Sequence, residues 1–231
     1  MKKPTYLLMD IEGTTTSINF VHDTLFTYAK KNMHSFLKQH QHDDKIKACL
    51  DETKDIMEQE GSQANSLDQL IDQLCTWIEA DRKVGPLKTL QGYIWREGYE
   101  TGQYTSHIYK DVYPAMQKWQ EMGIKLGIYS SGSVGAQKLL FAHTEQGDLT
   151  PCLSAYFDTK VGHKREVNSY AQISKSLNIA PEQILFLSDV VEELDAASEA
   201  GLGTAHVVRP GTKDTGYKKT IGSFAELAFE G

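Results

Sequence analysis

The chain has 231 residues, enough for one large domain or for a core with a smaller insert. Hydrophobic residues make up 40% and charged residues 24%, so a core can form without disulfides or structural metals to staple it. With 24 Lys and Arg against 31 Asp and Glu the formal charge is −7, which argues against nucleic acid as a partner but leaves room for a small anionic substrate in a local pocket.

In chain order, the first apolar run is Tyr6–Met9, which predicts a short buried strand. It is too short for a signal peptide or a membrane span, so no membrane partner and a cytoplasmic location are expected. Residues 21–105 contain no strand pattern. Asp43–Glu60 is charge-rich and helical in pattern; Ser66 and Gln69 have the spacing of a capping box; Leu67, Leu70, Ile71, Leu74 and Ile78 share one helical face. A helical insert, large enough to be a cap domain, is therefore expected over 21–105, between core segments 1–20 and 106–231. Further strands are predicted at Lys125–Tyr129, Ala155–Phe157, Ile184–Leu187 and Ala205–Val208. Helical patterns fall near Val134–Ala142, Arg165–Leu177 and Glu192–Ala200. Strand and helix in alternation predict an α/β fold with a Rossmann-like parallel sheet. The stretch Gly211–Gly222 predicts a surface loop before a short last helix. Cys49, Cys75 and Cys152 are odd in number and form no CxxC pair, which predicts reduced thiols.

Four predicted strand ends carry polar groups, and in open α/β sheets ligands bind at the carboxyl ends of strands. The first end reads Asp10-Ile11-Glu12-Gly13-Thr14-Thr15. One carboxylate there can attack phosphorus, and a second, two residues on, can pass a proton to the leaving oxygen. The second end reads Tyr129-Ser130-Ser131-Gly132-Ser133, whose hydroxyls and N–H groups suit a phosphate oxygen, although an ordinary serine helix cap has the same look. Past the third lie Lys160 and Lys164, either of which can pair with the phosphate and the attacking carboxylate. The fourth end carries Asp189, placed to bind a hard cation such as magnesium together with Asp10, or else to cap the helix that follows. Glu193, four residues on, can hold a metal-bound water or pair with the lysine.

Acid, hydroxyl, lysine and acid in this order resemble the haloacid dehalogenase superfamily. Within it, Asp10–Thr15, Tyr129–Ser133 with Ala136–Phe141, Phe157–Lys160 with Gly162-His163-Lys164, and Leu90-Gln91-Gly92 with Trp95 are similar to the enolase-phosphatase (acireductone synthase) family of methionine salvage. The resemblance spans most of the chain. Glu12 stands where most of the superfamily has Asp. The resemblance implies that Asp10 is a nucleophile and magnesium ligand, and that Glu12 binds magnesium through its carbonyl while its carboxyl moves protons. Ser130 and Ser131 would hold phosphate, Lys164 rather than Lys160 would be the family lysine, and Asp189 would complete the metal site. The implied substrate is a small phosphorylated diketone, 2,3-diketo-5-methylthiopentyl-1-phosphate, which is enolised and then dephosphorylated. The insert would close over the site, with Gln91, Tyr93 and Trp95 as candidate contacts to the tail; core packing accounts for Trp95 equally well. A superfamily phosphatase acting on phosphoglycolate or a sugar phosphate is the alternative. A catalytically silent binding protein ranks below both, because Asp10, Lys164 and Asp189 are all present. A monomer is the expected state.

Overall fold

A computed structural model describes residues 2–229. The chain divides into two compact units, Met1–Phe20 with Thr105–Gly231, and Val21–Tyr104.

The first unit is built on a six-stranded, wholly parallel sheet of order β3-β2-β1-β4-β5-β6. The strands are β1 (Tyr6–Met9), β2 (Lys125–Tyr129), β3 (Ala155–Phe157), β4 (Ile184–Ser188), β5 (Gly203–Val207) and β6 (Thr220–Ile221). Successive side chains of β1 feed two separate cores, as the two-residue period of a strand requires. Leu7 and Met9 pack with Met116, Trp119, Leu140 and Phe141, whereas Tyr6 and Leu8 pack with Tyr170, Ile173, Leu194 and Ala197. Both faces are thus covered by helices, which is why the strands read as continuous apolar runs.

Two features differ from the sequence expectation. The segment Gly211–Gly222 is not all loop, because Thr220 and Ile221 pair with His206 and Val207 as a short edge strand. The expected last helix is a single 3-10 turn, Phe224–Glu226. Both are settled by partners distant in sequence rather than by local pattern.

The second unit is helical. A π-helical stretch, Phe20–Phe26, leads into α1 (Thr27–His40), followed by α2 (Asp44–Gln59), α3 (Leu67–Glu79) and α4 (Gly85–Glu100). In the first unit lie α5 (Val112–Glu121), α6 (Val134–Ala142), α7 (Val167–Leu177) and α8 (Val191–Glu199). The α3 stripe packs inward with Met33, Leu37, Ile46, Leu87, Leu90 and Ile94. Asp43 caps α2 by accepting from Lys45 N and Ile46 N at 2.9 and 3.3 Å. At α3, Ser66 Oγ accepts from Gln69 N at 3.3 Å, while the Gln69 side chain reaches back to Asn65 N, one residue earlier than a capping box requires. Gly98 leaves room for Tyr104; an added Cβ would lie 2.7 Å from that ring. The three cysteines are free thiols, and among the described residues no helix is long and apolar enough to cross a membrane.

Candidate active site

The register aligns three chemistry-bearing strand ends side by side. Met9 lies between Ile128 of β2 and Leu187 of β4, so Asp10, Ser130 and Asp189 follow the ends of three adjacent strands. The Asp10 N–H extends the ladder to Leu187 O at 2.9 Å. The chain then folds into a closed turn in which Thr14, Thr15 and Thr16 all donate to Ile11 O, at 3.2, 2.9 and 2.9 Å. Gly13 sits at φ +73°, and a Cβ there would meet Asp189 Oδ2 at 2.2 Å. Only glycine allows the turn to come this close to the carboxylate.

Lys164 is the centre of the site. Its Nζ lies 2.6 Å from Asp10 Oδ1 and 2.7 Å from Glu193 Oε2, with all three side chains buried. Lys160 is exposed, and its backbone N–H is taken by Asp158 Oδ1 at 2.9 Å. The loop that delivers Lys164 is fixed by its own carbonyls: Gly162 O accepts from Tyr129 Oη at 3.0 Å, His163 O from Ser169 Oγ at 2.8 Å, and Lys164 O from Tyr170 Oη at 2.6 Å. Glu193 also accepts from Ser188 Oγ at 3.0 Å. Burial opposes the charge on Lys164, but Asp10 and Glu193 outweigh it and hold the ammonium above the ordinary lysine value. Burial and the Asp10 charge push Glu193 up, against the pull of Lys164.

Asp189 does not cap α8, whose N-cap is Val190 with no side-chain cap bond. Its carboxyl is pushed up to about 7 by burial and by Asp10, with Glu12 adding to the effect. Crowded carboxylates of this kind invite a cation. Among the described residues no group of three or more His, Cys, Asp or Glu gathers as a metal cage. Two carboxylates with a backbone carbonyl fit magnesium, which keeps several of its waters, and do not fit a metal that needs an all-protein cage. The donor set that could hold it is Asp10, Asp189 and the Glu12 carbonyl.

Ser130 is buried, and its Oγ accepts from Gly132 N at 3.2 Å, while Ser131 is partly exposed. Ser133, not Ser130 or Ser131, caps α6 by accepting from Ala136 N at 3.3 Å. Gln137 donates to both Gly132 O and Phe157 O at 2.8 Å, tying this turn to the end of β3. Gln91 is buried within α4; Trp95 gives its N–H to Leu25 O at 2.8 Å and stacks on Phe26.

Residues to which the sequence assigned no role also surround the site. His206 on β5 donates from Nε2 to Asp189 O at 3.1 Å, and Gln137 and Arg209 are buried beside the strand-end loops. His206 and Arg209 find their partners 17 and 195 residues away, and their only sequence signal is a polar side chain in or just after a predicted strand; Gln137 lies in the Ala136–Phe141 run but carries no sign of its role there.

A carboxylate held by a buried lysine, beside two further acids at the carboxyl edge of a parallel sheet, defines a hydrolase site of the kind that works on phosphate esters. The family model for haloacid dehalogenase-like hydrolases matches residues 5–201. Over 224 residues the chain is 44% identical to the Enolase-phosphatase E1 of Shewanella amazonensis, covering 97% of this chain and 98% of that protein. It is 47% identical to the protein of the same name from a Picosynechococcus species, covering 96% and 97%. The crystal structure of the UTR4 protein of Saccharomyces cerevisiae superposes with a TM-score of 0.82 at 33% identity, over 97% of this chain and 100% of that one. The chain belongs to the haloacid dehalogenase-like hydrolases and, within them, to the enolase-phosphatase E1 family.

Proposed function

We propose that this protein is a magnesium-dependent enolase-phosphatase that takes 2,3-diketo-5-methylthiopentyl-1-phosphate to its enol and then removes phosphate. The observation that carries the reading is the buried Lys164 bridge between Asp10 and Glu193, in a chain of this family. A phosphatase for another small ester has the same strand ends, but the relatives at 44% and 47% identity over nearly the whole chain favour the enolase-phosphatase.

The geometry around Asp10 and the family resemblance support the following roles. Asp10 Oδ1 is taken up by Ile11 N at 2.7 Å and by Lys164, so Oδ2 is the oxygen that attacks phosphorus. The bond from phosphorus to the substrate's ester oxygen breaks, and Glu12 gives that oxygen its proton. Glu12, now a carboxylate, takes a proton from the water that attacks the aspartyl-phosphate, and Asp10 is released. Ser130 and Ser131 hold phosphoryl oxygens, and Lys164 offsets the negative charge of both Asp10 and the phosphate. Glu193 keeps Lys164 aimed at Asp10. Asp10, Asp189 and the Glu12 carbonyl would hold magnesium, which would supply positive charge for oxygens that become negative in the reaction. Gln91, Tyr93 and Trp95 of the helical unit are proposed as contacts to the substrate's tail.

Mixing the purified protein with magnesium and the diketo-phosphate tests this directly, with ultraviolet absorbance and free phosphate followed together. An enol absorbance that rises and is followed by phosphate is the expected result. Hydrolysis of 4-nitrophenyl phosphate without any change in the diketo-phosphate would hand the site to the alternative ester.

A further inference from the structure

Arg209 lies just beyond β5 and is 5% exposed. Its Nε donates to Thr14 O at 3.0 Å. Its Nη1 donates to both Asp111 oxygens, at 3.0 and 2.9 Å, and to Gly222 O at 3.2 Å. The guanidinium also lies over the rings of Tyr109 and Phe224, 4.4 and 4.9 Å from their centres. Asp111 is itself held by Ser223 Oγ and Phe224 N at 2.9 and 2.6 Å. Arg209 Nη2 is buried without a partner.

As a device for stability this is a poor choice. Even with Asp111 partly exposed, the ion pair gains little over apolar side chains of the same volume, and a buried donor left unpaired costs further. What a buried arginine supplies is direction, because its donors are fixed in one plane. Here one donor reaches the turn that carries Glu12. The N–H groups of that turn point to its own centre, onto Ile11 O, and Gly13 N donates to Thr16 O at 2.8 Å. Two of its carbonyls are held from outside: Thr14 O by Arg209, and Thr15 O by Tyr109 N at 3.1 Å. Tyr109 lies under the same guanidinium. Arg209 therefore touches both anchors, one by its own hydrogen bond and one through the Tyr109 ring, while Thr16 Oγ1 ties the end of the turn to His107.

We propose that Arg209 is a positioning residue for proton transfer: by holding the Thr14 carbonyl it fixes the turn that aims the Glu12 carboxyl at the leaving oxygen. This rests on the reading of Glu12 as the acid. Its consequence is selective. A tilted Glu12 penalises an alkyl phosphate, whose leaving oxygen needs a proton, more than 4-nitrophenyl phosphate, whose leaving group departs as the anion.

The test compares kcat/KM for glycerol phosphate and 4-nitrophenyl phosphate in Arg209→Met, Arg209→Lys and Glu12→Gln, each normalised to its folded fraction. In Arg209→Met the alkyl ester should lose about tenfold more than the aryl ester, the same direction as Glu12→Gln, within the range of a general acid. If Arg209→Met does not fold, Arg209→Lys, which keeps the charge but not the fork, is read in the same way. Equal losses on both esters in the Arg209 variants, with Glu12→Gln still selective, overturn the positioning role alone. Equal losses in Glu12→Gln as well overturn the acid role of Glu12, and the positioning role with it.

Discussion

The two units bury different things. Among the described residues, the sheet unit buries Asp10, Asp158, Lys164, Glu193 and Arg209, whereas the helical unit buries no charged side chain and only Thr53 and Gln91 among polar ones. Ion pairs of the helical unit, such as Arg82 with Glu60 and Lys38 with Asp68, lie at its surface. Charge is costly to bury unless it is paired, and in the sheet unit Lys164 bridges Asp10 and Glu193 while Arg209 pairs with Asp111. The helical unit is held by apolar packing and can afford to keep its charges wet.

Substitutions in the two units should therefore fail in different ways. The largest effect is expected from Asp10→Asn, which keeps the shape of the side chain. It should fold, yet phosphate release should drop by about 10⁴-fold or more, because an amide is a poor nucleophile. Full activity in that variant would remove Asp10 from the mechanism. Next comes Lys164→Met, which leaves Asp10 and Glu193 facing each other. It should cost about a thousandfold in turnover and about 3–5 kcal/mol in stability. Adding Glu193→Gln should recover much of the stability, read by urea unfolding, and none of the turnover. Recovery of both would make Lys164 a structural residue.

Glu12→Ala should slow turnover by roughly a hundredfold with little change in the melting midpoint; unchanged rates would leave its carboxyl idle. In the helical unit, Leu74 is wholly buried among Ile71, Trp77 and Leu90. Leu74→Ala should cost about 2–5 kcal/mol by opening a cavity. A change within the noise of a urea melt would mean that the helices close around the gap. The smallest effect is expected at the exposed pair of Arg82 with Glu60: Arg82→Ala should leave the melting midpoint unchanged within error, since such pairs are screened by water and salt. A clear drop would point to the Arg82 stack on Trp77 instead.

Much of the fold is legible in the chain because buried parallel strands are written as continuous apolar runs. β1, β2 and β3 have the bounds that Tyr6–Met9, Lys125–Tyr129 and Ala155–Phe157 suggest. β5 begins earlier, at Gly203, because its first residues gain strand character from pairing with Leu185 and Phe186, not from their own pattern. β6 is invisible for the same reason, lying in a stretch rich in Gly, Lys and Thr. At the site, acids just past strands are easy to find. Choosing between Lys160 and Lys164 from physics alone is not, since it depends on how the loop curls through Gly162 at φ +132°. Arg209 and His206 leave almost no trace, because each is defined by a backbone carbonyl far away in sequence.

The contact between Ser17 and His107 has a consequence for how this architecture is assembled. Ser17 N donates to His107 Nδ1 at 3.1 Å, and Thr16 Oγ1 bonds the same residue. The chain thus leaves the sheet unit and returns to it at nearly the same point, so the stem is closed by the sheet unit's own hydrogen bonds. An insertion rooted in such a stem can lengthen, shrink or be exchanged for another at little entropic penalty, since loop closure grows only slowly with length. The sheet keeps its register throughout. The segment between the two points can therefore change in length while the strand ends that carry Asp10, Ser130 and Asp189 stay untouched.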